Sequence, residues 1–129
     1  MAQQRTIIAT EKAPGAVGPY NQAVRVGDLV FTAGQIPLDP ATGTMVPAVI
    51  EDQTRQVLKN LGAVLEAADS GLENIVKMTV FMTDLGQFQA MNAVYAEFFP
   101  EVPPARSAVE VAALPLGAMI EMEAVAVRG

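Results

Sequence analysis

Apolar positions along the chain change period several times, and each change marks an element. Residues 22–26 and 29–33 are short strand-like runs separated by Gly27-Asp28. Glycine supplies the positive φ that a two-residue turn favours, so the segment predicts a β-hairpin. From about residue 49 to 70 the spacing becomes three and four: Val57, Leu61, Val64, Leu65 and Ala68 recur, with Gln56, Lys59, Asn60 and Glu66 opposite. That pattern predicts an amphipathic helix ended by Gly71. Residues 75–82 are β-rich, with Val76, Met78, Val80 and Met82 on one side and Ile75, Lys77, Thr79 and Phe81 on the other. A second helix is predicted over about 85–99, with Leu85, Phe88, Met91, Tyr95 and Phe98 on one stripe and Pro100 as its stop. Two further strands are predicted at about 105–111 and 118–127, joined by a turn containing Pro and Gly.

With residues 6–9 as a weak first strand, the order is β-β-β-α-β-α-β-β, and 11–21 and 34–48 read as loops. The expectation is an α+β fold in which two helices cover one face of a mixed sheet. Two helices protect roughly one face of such a sheet, yet the strands are apolar on both parities. The uncovered face should therefore meet another subunit, which predicts a homo-oligomer. No linker or repeat divides the 129 residues, which read as one domain spanning 1–129.

Composition narrows the chemistry. Half the chain is hydrophobic (51%), and there is no His and no Cys. A Ser-His-Asp triad, a thiolate nucleophile, a disulfide and an imidazole-ligated metal are all excluded. Net charge is −6, and the basic residues Arg5, Lys12, Arg25, Arg55, Lys59, Lys77, Arg106 and Arg128 are scattered singly. Nucleic-acid binding relies on basic groups neutralising phosphates, so no nucleic-acid partner is expected. The first fifteen residues contain only the apolar run Ile7-Ile8-Ala9, and no apolar run approaches the ~20 residues that span a bilayer. A cytoplasmic protein without a membrane partner is the expectation.

The last two strands carry the candidate chemistry. Alternation puts Arg106, Ala108 and Glu110 on one face of the first, and Glu121 and Glu123 on one face of the second. A tight turn over 112–117 would bring Arg106 beside both glutamates, on the face the helices leave open. Two readings stand at this point. One is a cross-strand ion pair at a subunit interface. The other is an arginine that grips a substrate carboxylate while a glutamate works on water; a guanidinium suits this because its planar fork pairs both carboxylate oxygens. Gly34-Gln35 follows a strand and offers backbone N–H groups to an anion, or is an ordinary turn. Tyr20 is a loop anchor or a pocket hydroxyl; Asn92 and Phe88 are by default surface and core. The seven Met read as core filler. Glu51-Asp52-Gln53 fits dipole compensation at a helix start better than metal binding.

Three segments give the sequence a likeness. GPYNQAV (18–24), FTAGQIPLDPATG (31–43) and PARSAVEVAALPLGAMIEMEAVAV (104–127) together resemble the Rid family, the reactive intermediate deaminases or YjgF-like proteins. The likeness runs from about Ile7 to Arg128, and its PARS-x-VEV-x-x-LP…IE-x-E block is its specific part. It implies a chorismate-mutase-like homotrimer whose sheets line a central barrel, with a ligand cleft at each subunit interface. It implies hydrolysis of 2-imino acids such as 2-iminopropanoate and 2-iminobutanoate to 2-keto acids and ammonia, without metal or organic cofactor. The family's carboxylate-binding arginine matches Arg106 and its water-activating glutamate matches Glu121. Tyr20, Gly34, Phe88 and Asn92 match cleft-lining positions. Many members carry Cys where this chain has Ala108; the family contact there is from the backbone N–H, which Ala keeps. No role is assigned to Glu123. A non-catalytic binding module for small carboxylates is the alternative reading, and ribonuclease activity, attached to some members, is disfavoured by the charge.

Overall fold

A computed structural model describes residues 4–129; residues 1–3, part of the amino-terminal stretch discussed above, lie outside it. In chain order the elements are β1 (Arg5–Ile8), β2 (Ala23–Val26), β3 (Leu29–Thr32), β4 (Leu38–Asp39), β5 (Thr44–Met45) and α1 (Ile50–Ala67). Then come β6 (Ile75–Met82), α2 (Phe88–Phe98), β7 (Ala105–Glu110) and β8 (Ile120–Val127). Six strands form one mixed sheet in the order β1-β2-β3-β8-β6-β7, and β4 and β5 form a separate small ribbon. That ribbon lies in the segment the sequence reads only as loop. The α+β class and the two helices on one face match the expectation; their apolar stripes share a single core with the inward side chains of the sheet.

The hairpin forms as its spacing predicts: Val26 pairs with Leu29, leaving Gly27-Asp28 as the turn, and Gly27 takes φ 58°. Helix α1 forms because Val57, Leu58, Leu61, Val64 and Leu65 fall on one stripe, and each is fully buried. Its stop differs from the expected one. The chain turns at Asp69 (φ 60°), where Asp69 N–H donates to Glu66 O and Ser70 N–H donates to Leu65 O, closing a Schellman motif. Gly71 is merely extended. In β6 a bulge between Ile75 and Lys77 reverses the first residues, so Ile75 is buried and Val76 exposed; from Met78 onward the alternation holds.

The largest correction concerns the last two strands. They do not form a hairpin. β7 pairs in parallel with β6, and β8 pairs antiparallel with β6 on its other side. The segment between β7 and β8 therefore steps over the end of β6, a distance of about 10 Å at ordinary strand spacing. The physical reason is the β6-α2-β7 unit: a strand, a helix and a strand in succession return the chain parallel to its start.

Asn60 is a second correction. Placed by periodicity on the outer side of α1, it is 1% exposed. Its Nδ2 donates to Ile36 O (3.2 Å) and Leu38 O (2.9 Å), and its Oδ1 accepts from Gln56 Nε2 (2.9 Å). Gln53, also buried, accepts from Met119 N–H at 2.9 Å. These amides tie the loop after β3 and the approach to β8 onto the helix, satisfying peptide groups that would otherwise be buried unpaired. Replacing Asn60 with Ala leaves both carbonyls without their donor, and we expect a loss of about 1–3 kcal/mol in unfolding free energy by denaturant titration.

Candidate functional site

The chemistry-bearing residues separate into two groups on opposite faces of the sheet. Arg106 pairs in register with Met78, whose side chain is buried beneath the helices; Glu121 pairs with Phe81, three residues further along β6 and so on the other face. The predicted meeting of Arg106 with Glu121 and Glu123 across a hairpin does not occur within the chain. The open face does carry Glu121 and Glu123, as expected, but Arg106 points to the helix side.

On that side Arg106 is held by α2. Its Nη1 donates to Asn92 Oδ1 at 2.7 Å. Its guanidinium carbon lies 5.3 Å from the centre of the Phe88 ring and 4.7 Å from that of Tyr95. Phe88, Asn92 and Tyr95 stand at i, i+4 and i+7, one stripe of α2, so a single helix face presents two rings and an amide to one cation. Cavities of about 510 and 550 Å³ flank the guanidinium; Leu85, Phe88 and Ala108 line the first, and Asn92, Tyr95, Phe99 and Pro104 the second. Arg106 has no ion-pair partner among the described residues, whose pairs are Arg25–Asp69, Arg55–Glu97 and Arg128–Asp69. The intrachain ion-pair reading of Arg106 is thereby removed. Tyr95 belongs to this cluster and was read from sequence only as part of the apolar stripe. Burial pushes its hydroxyl pKa up, with the neighbouring Arg106 charge working against the shift.

The second group surrounds Glu121. Tyr20, Gly34 and Glu121 line one cavity of about 640 Å³, together with Val17, Ile36 and Leu116. Gly34 leaves room for the Glu121 carboxylate in this position: a Cβ there would lie 2.8 Å from its carboxyl carbon, and the glutamate side chain would have to move. The flanking peptides are fixed, with Ala33 N–H donating to Gln22 O at 2.9 Å and Gln35 N–H donating to Met122 O at 2.8 Å. The Tyr20 hydroxyl accepts from Val17 N–H at 3.4 Å, which ties the 17–20 loop into one wall. Burial raises the Glu121 pKa above its ordinary value, and the Glu123 carboxylate raises it further. Arg106, on the other face of the same chain, has no part in that shift.

Comparison with known proteins places these residues in context. The family described as Endoribonuclease L-PSP matches residues 10–128. A RutC family protein of Pyrococcus abyssi is 52% identical over 122 residues, covering 95% of this chain and 96% of its own. The human protein named 2-iminobutanoate/2-iminopropanoate deaminase is 46% identical over 125 residues, covering 97% of this chain and 91% of its own. Among solved structures, a conserved Rid family protein, YyfA from Yersinia pestis, superposes with TM-score 0.94 at 46% identity, covering 96% of this chain and 99% of its own. Escherichia coli TdcF, solved with bound serine, superposes with TM-score 0.92 at 49% identity, covering 96% and 99%. A mixed sheet with two helices on one face and relatives of this identity define the Rid class. The chain belongs to the Rid/L-PSP family, as its PARS and IE-x-E segments imply.

The arrangement around Glu121 makes a measurable demand. Titration of the Glu121 carboxyl by carbon NMR should give a midpoint above that of an exposed glutamate. Glu123→Gln should lower it, because one like charge is removed while the desolvation stays. An unchanged midpoint in Glu123→Gln would assign the whole rise to burial.

Proposed function

We propose that the protein hydrolyses 2-imino acids, 2-iminopropanoate and 2-iminobutanoate among them, to 2-keto acids and ammonia. The observation that carries this reading is Arg106: a half-buried guanidinium beside a cavity, oriented by Asn92 and two rings, with no carboxylate of the described chain to neutralise it. Such a group is an anion receptor, and its forked donors suit a carboxylate. The human deaminase name at 46% identity and the bound serine of TdcF, which carries an α-carboxylate, support the substrate class.

Both groups of residues act on one substrate only if separate copies of the chain bring them together. The open face supports such an assembly. Ile7, Leu29, Phe31 and Val109 share it with Glu121 by register and are 42–50% exposed. A homotrimer, the assembly the family resemblance implies, places Arg106 of one copy across an interface from Glu121 of another. Arg106 then fixes the carboxylate, with backbone N–H groups near Gly34 and Ala108, and so places the C=N carbon. Water adds to that carbon of the protonated imine while one of its protons passes to Glu121, giving a neutral carbinolamine. Glu121 returns that proton to nitrogen. As the C–N bond breaks, the carbinolamine hydroxyl gives its proton to Glu121, the carbonyl forms, and the departing ammonia takes that proton and leaves as ammonium. General-base assistance of this kind contributes roughly 10²–10⁴-fold. No step calls for a metal, and among the described residues no group of acidic side chains is placed to hold one.

Ribonuclease chemistry is not favoured. Arg25, Arg55 and Arg128 are paired with carboxylates, Lys77 donates to Ser107 at 2.8 Å, and no basic stripe results. No helix among the described residues is long and apolar enough to cross a membrane; we place the reaction in the cytoplasm.

Subunit mixing tests both the chemistry and the shared site. With imines generated by an amino-acid oxidase and trapped by semicarbazide, Arg106→Ala and Glu121→Gln should each lose at least 10²-fold in hydrolysis rate. Copies of the two variants, unfolded together and refolded, should recover part of the activity, because some interfaces then carry both native groups. Absence of turnover in the unaltered protein, with keto acid still bound, would instead establish the carboxylate-binding module. Loss of activity in each variant with no recovery on mixing would place the site within one chain.

A further inference from the structure

Leu116 stands out from the rest of the turn between β7 and β8. It adopts φ 57° and ψ 23°, the left-handed region, where a leucine Cβ crowds its own backbone and where Gly or Asn is favoured. Its side chain is 74% exposed in the single chain, so it adds little to the core. The turn is closed without its side chain: Gly117 N–H donates to Leu114 O and Ala118 N–H donates to Pro115 O. The fold itself therefore gains nothing evident from leucine here. What leucine does supply is an apolar part of the wall of the Glu121 cavity, which Val17, Ile36 and Leu38 also line. Glu121 is the one charged residue among those lining it.

We propose that Leu116 is a specificity-determining residue that selects imino acids with apolar side chains longer than a methyl group. This rests on the deaminase reading above. With the carboxylate on Arg106 and the reacting carbon over Glu121, the substituent on that carbon lies along these aliphatic walls. An acidic substituent meets the Glu121 carboxylate and is repelled. A basic one pairs with Glu121 and diverts the base from water. An isobutyl or thioether chain instead leaves water on burial, and a single methylene in such a pocket discriminates by about 10–200-fold. Backbone strain kept at a position of this kind serves a site rather than the fold.

The test compares kcat/KM for leucine-derived, alanine-derived and glutamate-derived imines in the unaltered protein, Leu116→Gly and Leu116→Asn, with Tm for each. The unaltered protein should prefer the leucine-derived imine over the glutamate-derived one. Both variants should keep or raise Tm, since the strain is relieved, while the leucine-to-alanine ratio falls about tenfold. An unchanged ratio with Tm maintained overturns the role of Leu116 and leaves the deaminase reading intact. A marked fall in Tm for Leu116→Gly also overturns it, because leucine would then be supporting the fold. No turnover of any imine by the unaltered protein overturns the deaminase reading itself, and this proposal with it.

Discussion

Strand β8 lies between β3 and β6, so every second side chain must enter the core. Ile120, Met122, Ala124 and Ala126 do so, and the residues between them are turned to the open face. Glu121 thus occupies its place by pleat alone, and a one-residue slip would drive both carboxylates under the helices at a large desolvation cost. The apolar burial that holds the register also fixes the direction of the glutamate. The same alternation in β7 turns Arg106 the other way, onto α2.

Opposite orientation explains why the two groups can keep contrasting electrostatic character. Arg106 sits against aromatic faces and an amide, surroundings that stabilise a cation without neutralising it. Glu121 has apolar walls and a neighbouring carboxylate, surroundings that raise its proton affinity. Within one chain neither cancels the other. Each half is therefore left open to a group from outside the chain; in the proposed reaction, a carboxylate with an adjoining C=N group supplies the anion to one and the reacting centre to the other.

Much of this was legible in the sequence, and the failures have specific causes. Hydrophobic period located both helices and the first hairpin, because those signals are local. The supposed hairpin of β7 and β8 failed because Pro115 and Gly117 mark a turn without saying which strands it connects. The competing signal was present: strand, helix and strand over residues 75–110 call for a parallel pair, and β8 then takes the other edge of β6 rather than the free edge of β7. Asn60 was misplaced because period alone treats a polar residue as solvated, whereas its partners are backbone carbonyls 22 and 24 residues away. Tyr95 was visible only as an apolar stripe member; its spacing from Phe88 and Asn92 was the clue to a cation on that side. Alternation singled out Arg106 with Glu121 and Glu123; family likeness supplied what pattern could not, namely the choice of Glu121 between the two carboxylates.

The position of β8 has a consequence for the order of events in folding. It alone bonds the β1-β2-β3 ribbon to the β6-β7 half of the sheet, and among the strands it is the last along the chain. Until residues 120–127 are available, both halves have unsatisfied inner edges and the inward faces of Val30 and Val80 lack their central neighbour. Pairings of such long sequence separation form late. A chain leaving the ribosome therefore remains two open, edge-exposed pieces until residues 120–127 have emerged, and the sheet closes only when β8 arrives.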